Sequence, residues 1–181
     1  TLDKILESAL DYDKVQWRGG WFEPLCYTPN SQTPYTGWLK AICVNGQVKR
    51  IVHVKDGKKH GLETEWHSNG KKRTETNHVD GKAQGLETTW HSNGRKNRET
   101  NYRDGLKHGL ATSRSDKGEK GSKVNYVDGK KHGLETTWRN GEKRMETNYV
   151  DGKKHGLETK WLNGKKFTET SYVDGKEVNH K

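Results

Sequence analysis

Three glycine series recur in phase along most of the chain, and that phasing limits the fold more than any other feature. Asp-Gly dipeptides close at Gly57, Gly81, Gly105, Gly129, Gly152 and Gly175, at intervals of 24, 24, 24, 23 and 23 residues. A second series, Gly37, Gly61, Gly85, Gly109, Gly133 and Gly156, keeps the same five intervals. So does a third, mostly Asn-Gly, at Gly46, Gly70, Gly94, Gly118, Gly141 and Gly164. Self-similarity at a fixed period marks an array whose units are single supersecondary elements, each burying its apolar surface against its neighbours. The units are 37–60, 61–84, 85–108, 109–132, 133–155 and 156–178.

Inside a unit the pattern alternates. Leu62, Thr64 and Trp66 fall on one side and Glu63 and Glu65 on the other, as a half-buried strand requires. The Thr-rich stretch from Lys71 to Val79 reads as its partner; it ends at His78, where later units have Tyr102, Tyr126, Tyr149 and Tyr172. The two unit lengths differ at the loop. Ser68-Asn69-Gly70 predicts a three-residue loop with Gly in a left-handed bulge, and Asn140-Gly141 a two-residue type I′ turn. Both pair Trp with Lys, Trp66 with Lys72 and Trp138 with Lys143. Continued without interruption, that register pairs Thr64 with Thr74, Leu62 with Thr76, Thr136 with Met145 and Leu134 with Thr147. It also puts every Trp and Tyr on one face.

The expected fold is therefore all-β: an elongated single-layer antiparallel meander of six hairpins. At a strand spacing of about 4.8 Å it advances about 10 Å per unit and about 60 Å in all. Composition agrees that no large globular core forms, since Leu, Ile, Val and Phe number only 28 of 181 residues. An array needs caps. Residues 1–36 supply one: Leu2, Ile5, Leu6, Ala9 and Leu10 have helical spacing. Trp17 to Pro34, including Trp21, Phe22 and three prolines, is expected to be irregular and to cover the first sheet edge. Residues 179–181 form a tail.

Unit 109–132 is degenerate. Arg114 stands where Trp66, Trp90, Trp138 and Trp161 stand elsewhere, and Ser115 and Asp116 occupy its loop. It is the expected weak point, bend or partner contact. The leader carries net charge −2 and the array +12, within a total of +10. Cys26 and Cys43 are too few for a zinc module and are read as either a disulfide or two inert thiols. No apolar run approaches a membrane span. The start at Thr1 and the single Met145 suggest a processed or trimmed chain whose targeting segment is gone.

The unit Asn-Tyr-Val-Asp-Gly-Lys-Lys-His-Gly-Leu-Glu-Thr-Thr-Trp, followed by Asn-Gly, at residues 125–141 resembles the MORN repeat. The resemblance is closest to the bacterial variant found in YwqK-family antitoxin-like proteins, and it extends over 37–178. The leader, with Tyr27, Pro29, Asn30, Gln32, Thr33, Pro34, Tyr35, Thr36, Gly37 and Trp38, is similar to the lead-in of exported bacterial MORN-variant proteins. The resemblance implies a twisted single-layer sheet used for protein contacts or self-association, no catalytic residues and no cofactor, and a cell-surface or exported bacterial location. His78 for Tyr and Arg114 for Trp depart from the pattern.

Lys-Lys-His-Gly recurs, placing His60, His108, His132 and His155 in a row. Equivalent atoms about 10 Å apart do not share a metal ion, so these residues are read as a solvated connection that guards sheet edges. In the expected register Glu63 faces Glu75, Glu87 faces Glu99, Glu135 faces Glu146 and Glu158 faces Glu169. Such pairs need neighbouring Lys and Arg, or Ca²⁺, to neutralise them. A flat face offers them no catalytic cleft. No nucleophile elbow, His-Glu-Xaa-Xaa-His, phosphate loop or Cys-Xaa-Xaa-Cys is present.

The expected function is a non-enzymatic scaffold. It would bind a protein partner, or copies of itself up to a homo-oligomer or filament, through Trp66, Trp90, Trp138, Trp161, Tyr102, Tyr126, Tyr149 and Tyr172 or through an open strand edge. Two alternatives stand beside it. One is an antitoxin or immunity protein neutralising a toxin, as the resemblance implies. The other is a cell-surface binder of a polyanion, whether polysaccharide, lipid headgroup or nucleic acid.

Overall fold

In the computed structural model, residues 1–19 and 25–178 are described; expectations for Trp21 and Phe22 and for the tail lie outside them. The chain divides into two compact units, Thr1–Gly94 and Arg95–Lys181. Each is built on an open antiparallel sheet of consecutive hairpins, and neither closes into a barrel.

The first unit begins with helix α1 (Leu2–Ser8), β1 (Leu10–Asp11), a short 3₁₀ turn, and the hairpin β2 (Gln16–Arg18) and β3 (Leu25–Tyr27). The array follows as β4 (Gly37–Ile42), β5 (Val48–Lys55), β6 (Lys58–Lys59), β7 (Gly61–Trp66), β8 (Lys72–Val79), β9 (Lys82–Ala83) and β10 (Gly85–Trp90). The second unit continues it with β11 (Lys96–Arg103), β12 (Leu106–Arg114), β13 (Lys120–Val127), β14 (Lys130–Lys131), β15 (Gly133–Arg139), β16 (Glu142–Val150), β17 (Lys153–Leu162), β18 (Lys165–Val173) and β19 (Lys176–Val178).

Both turn chemistries are present. Every Asp-Gly pair, from Asp56-Gly57 to Asp174-Gly175, has positive φ at both residues, the type I′ geometry that suits a twisted hairpin. Asn140-Gly141 and Asn163-Gly164 do likewise, whereas in Ser68-Asn69-Gly70 only the glycine is left-handed, at +78°. Despite the different loops, Trp66 pairs with Lys72 and Trp138 with Lys143.

Past that point the register departs from expectation by one residue. A bulge leaves Arg73 without a partner, so Glu65 pairs with Thr74, Thr64 with Glu75, Glu63 with Thr76 and Leu62 with Asn77. Lys49, Gly121, Arg144 and Phe167 are skipped in the same way. In the fifth repeat Thr137 therefore meets Met145, Thr136 meets Glu146 and Leu134 meets Asn148. One extra residue turns the rest of the returning strand over. A second irregularity lies at the mid-repeat glycine: between Thr100–Ala111 and Tyr102–Lys107, one residue of β11 faces three of β12, around Gly109 at φ +86°.

The leader does more than guard an edge. Leu10 and Asp11 add a short parallel strand beside Leu39 and Lys40, while Lys40 Nζ donates to the Leu6 carbonyl of α1. Val15 and Cys26 then pack on Leu39, Val52 and Val54, with Leu10, Tyr12, Trp17 and Tyr35 around them. Later repeats place Glu63, Thr76 and His78 at the positions of Leu39, Val52 and Val54. The first repeat is thus apolar where the leader covers it, each such side chain contributing about 1.5–3 kcal/mol. The leader also continues the repeat's backbone bonding. Gly57 N–H donates to the Tyr35 carbonyl, as Gly81 N–H does to that of Lys59. The segment expected to be irregular contains the β2–β3 hairpin, and α1 buries none of its own residues.

Candidate functional site: the two faces of the sheet

Register and contacts place the aromatic rows on opposite faces, which corrects the single aromatic face expected from alternation. Trp138 follows Thr136 on one side of β15; Thr136 lies opposite Glu146 and its hydroxyl donates to that carboxylate. Tyr149 follows Thr147 on the other side of β16, where Thr147 lies opposite Glu135 and donates to Glu158. The returning-strand bulge causes the division. We name the sides the Trp face and the Tyr face, each within its own unit. Trp66 and Trp90 lie on the Trp face of the first unit, and Trp138 and Trp161 on that of the second. Tyr102, Tyr126, Tyr149 and Tyr172 lie on the Tyr face of the second unit, and His78 takes the tyrosine position in the first.

The same slip resolves the acidic rows. Glu63 faces Thr76 and not Glu75; Glu135 faces Thr147 and not Glu146; Glu158 faces Thr170 and not Glu169. Glu87 accepts from the Thr76 hydroxyl and Glu99 from Lys96, and those two carboxylates belong to different units.

On the Tyr face, after three of the Asp-Gly turns, a lysine bonds the glutamate four residues on. Lys59–Glu63 is 2.9 Å and Lys131–Glu135 is 2.6 Å, and Lys154 bonds Glu158. The lysine at this repeat position also lies over the next ring: Lys107 on Tyr126 at 5.2 Å, Lys131 on Tyr149 at 4.9 Å and Lys154 on Tyr172 at 4.7 Å. Each such contact is worth about 0.5–2 kcal/mol. Burial together with Glu135 raises the Tyr149 phenol to about 12. Burial opposes ionisation of Glu158, but Lys154 and Lys160 outweigh it and hold its carboxyl below the usual range.

The most charged cluster surrounds Glu63. Burial disfavours its anion, yet His78 at 2.8 Å, Lys59 and Arg50 overcome that and bring its carboxyl down to about 2. Arg50 also stacks on Tyr12, 4.8 Å from the ring centroid, joining the cluster to the leader.

On the Trp face a lysine near the start of β8, β11, β16 and β18 bonds a glutamate three residues on. The distances are 2.5 Å for Lys72–Glu75 and Lys96–Glu99, 2.7 Å for Lys143–Glu146 and 2.6 Å for Lys166–Glu169. Lys72, Lys120 and Lys143 reach over Trp90, Trp138 and Trp161 of the following repeat. Beyond this row the face is open and apolar. In the second unit Leu110, Leu134 and Leu157 are 42, 47 and 48% exposed, and Val127, Val150 and Val173 are 38, 41 and 48% exposed. Leu62, Leu86 and Val79 take the same positions in the first unit. Alternation already marked these leucines as a row; their exposure depends on what packs above them.

The histidine row is not a purely solvated connection. His60, His108, His132 and His155 each stand near the Asp of the next repeat's turn: Asp80 at 3.6 Å, Asp128 at 3.3 Å, Asp151 at 3.9 Å and Asp174 at 3.5 Å. Cys26 and Cys43 are both free, so the disulfide alternative does not hold; Cys26 is buried in the leader core and Cys43 begins the first loop. Among the described residues no helix is long and apolar enough to cross a membrane.

No protein-family model matches the chain, and no curated protein sequence does.

Proposed function

We propose that the chain is a non-enzymatic MORN-like hairpin scaffold that docks a protein, either another polypeptide or a second copy of itself, on its Trp face. The observation that carries the reading is the ladder of half-exposed Leu and Val beside the Trp row. On the Tyr face, by contrast, three repeats bury Glu63, Glu135 and Glu158 against their own lysines. Exposed apolar area repeated along a sheet marks association, and rigid strands present it without ordering cost. The positive excess does not by itself favour a polyanion, because lysines on both faces are engaged with glutamates and rings.

Photo-crosslinking tests this. A benzoylphenylalanine at position 134, on the Trp face, should give one discrete adduct in the native cellular setting, identified by mass spectrometry as a partner or a second copy. The same probe at position 149, on the Tyr face, should give none. Equal adducts from both faces, or none from position 134, would overturn the reading.

A further inference from the structure

The fourth repeat breaks the lysine–glutamate rule of the Trp face, and it does so by charge reversal. Lys120 pairs opposite Arg114 as Lys72 pairs opposite Trp66, and Gly121 is skipped as Arg73 is. The residue three further on, which is Glu75, Glu99, Glu146 and Glu169 in other repeats, is Lys123. The backbone positions that elsewhere bring an ammonium to 2.5–2.7 Å from a carboxylate here both carry lysine.

Lys123 is exposed and lies between Thr112 and Thr136 in register. The nearest glutamates of that row, Glu99 and Glu146, lie one strand further out on either side, about 10 Å away. Each is already bonded to its own lysine. On the Tyr face the same repeat also loses its glutamate, at Ala111, but there Ala111 and Val124 are buried, so apolar packing replaces the ion pair. Among the described residues, neither Lys120 nor Lys123 on the Trp face has a carboxylate partner. Beside them are Trp138, under the Lys120 ammonium at 5.7 Å, and the half-exposed Leu110 and Leu134.

We propose that Lys120 and Lys123 form the specificity site of the docking face. They receive a Glu or Asp side chain of an acidic, leucine-bearing peptide segment, whose carboxylate takes the place that the chain's own glutamate takes in the other repeats. Charge complementarity selects this occupant: a like-charged partner would add to the repulsion, and a neutral one would leave it unrelieved. The inference rests on the Trp-face reading and adds the partner's chemistry.

The test uses the full chain and a fluorescein-labelled peptide of five Glu-Leu dipeptides. Lys123→Glu rebuilds the ion pair of the other repeats. It should raise Tm by about 1–3 °C and weaken peptide binding by about tenfold or more. Lys165→Glu, the same charge change at an exposed residue paired with Leu162 on the Tyr face, should leave peptide affinity within about twofold. Equal weakening by both variants would reduce the effect to net charge and overturn the proposal. So would unchanged binding by Lys123→Glu, or tighter Lys123-dependent binding of a single-stranded oligonucleotide than of the peptide. In those cases an adduct at position 134 would still uphold the docking face.

Discussion

Glu63 carries more of the first unit's electrostatics than any other residue, and its pH behaviour follows from its neighbours. Its carboxyl titrates near 4.5 when unfolded and is drawn down to about 2 in the fold. The stabilisation is therefore complete above about pH 4.5 and is lost as pH falls toward 2, amounting to about 3 kcal/mol. Acid titration of stability should show that loss in the native protein. Glu63→Gln should be less stable by a similar amount at pH 7 and converge with it near pH 2. The thiols give a second contrast. Burial pushes Cys26 up to about 11, so native protein should show one rapidly reacting thiol, Cys43, and denatured protein two. Glycines separate in the same way. At Gly133, with φ +79° and no atom near an added Cβ, substitution by Ala should cost about 1–2 kcal/mol. At Gly57 the same Cβ would meet Pro34 Cβ at 2.9 Å and Leu25 Cβ at 3.0 Å, so Gly57→Ala should cost more and loosen the leader, as differential unfolding of the two variants would reveal.

At the scale of the hairpin, loop and strand differ in what they tolerate. Inserting Ser before Asn140 converts a two-residue loop into the three-residue form of earlier repeats and should change stability by less than about 1 kcal/mol. Inserting one residue between Glu146 and Thr147 would exchange the faces of Tyr149 and Asn148 and should unfold the second unit; circular dichroism melts distinguish the two. The turns, the strands and the Trp–Lys pairing were all legible in the sequence, because Gly, Asn and Asp declare left-handed backbone. The bulge that divides Trp from Tyr was not. Its skipped residues, Lys49, Arg73, Gly121, Arg144 and Phe167, share no chemistry, so nothing in their side chains announces it. The leader core left a readable trace that alternation alone passed over: Leu39, Val52 and Val54 stand where the second repeat has Glu63, Thr76 and His78.

For the molecule as a whole, the two sides of the sheet in each unit carry different duties. Paired lysines, glutamates and tyrosines fasten neighbouring repeats on one side; leucines, valines and indoles await a partner on the other. The paired substitution of Leu134 and Leu157 by Ser should leave Tm within about 3 °C, since both side chains are already half in water. Replacing Tyr149 and Tyr172 by Ala removes two cation–ring contacts and their buried area and should lower Tm by about 10 °C. The most direct measurement combines these two double variants with a photo-reactive residue at position 110, recording thermal unfolding and adduct yield together. The account predicts a stable protein without adduct for the leucine pair, and at permissive temperature a destabilised protein that still forms the adduct for the tyrosine pair. The reverse pattern would contradict it.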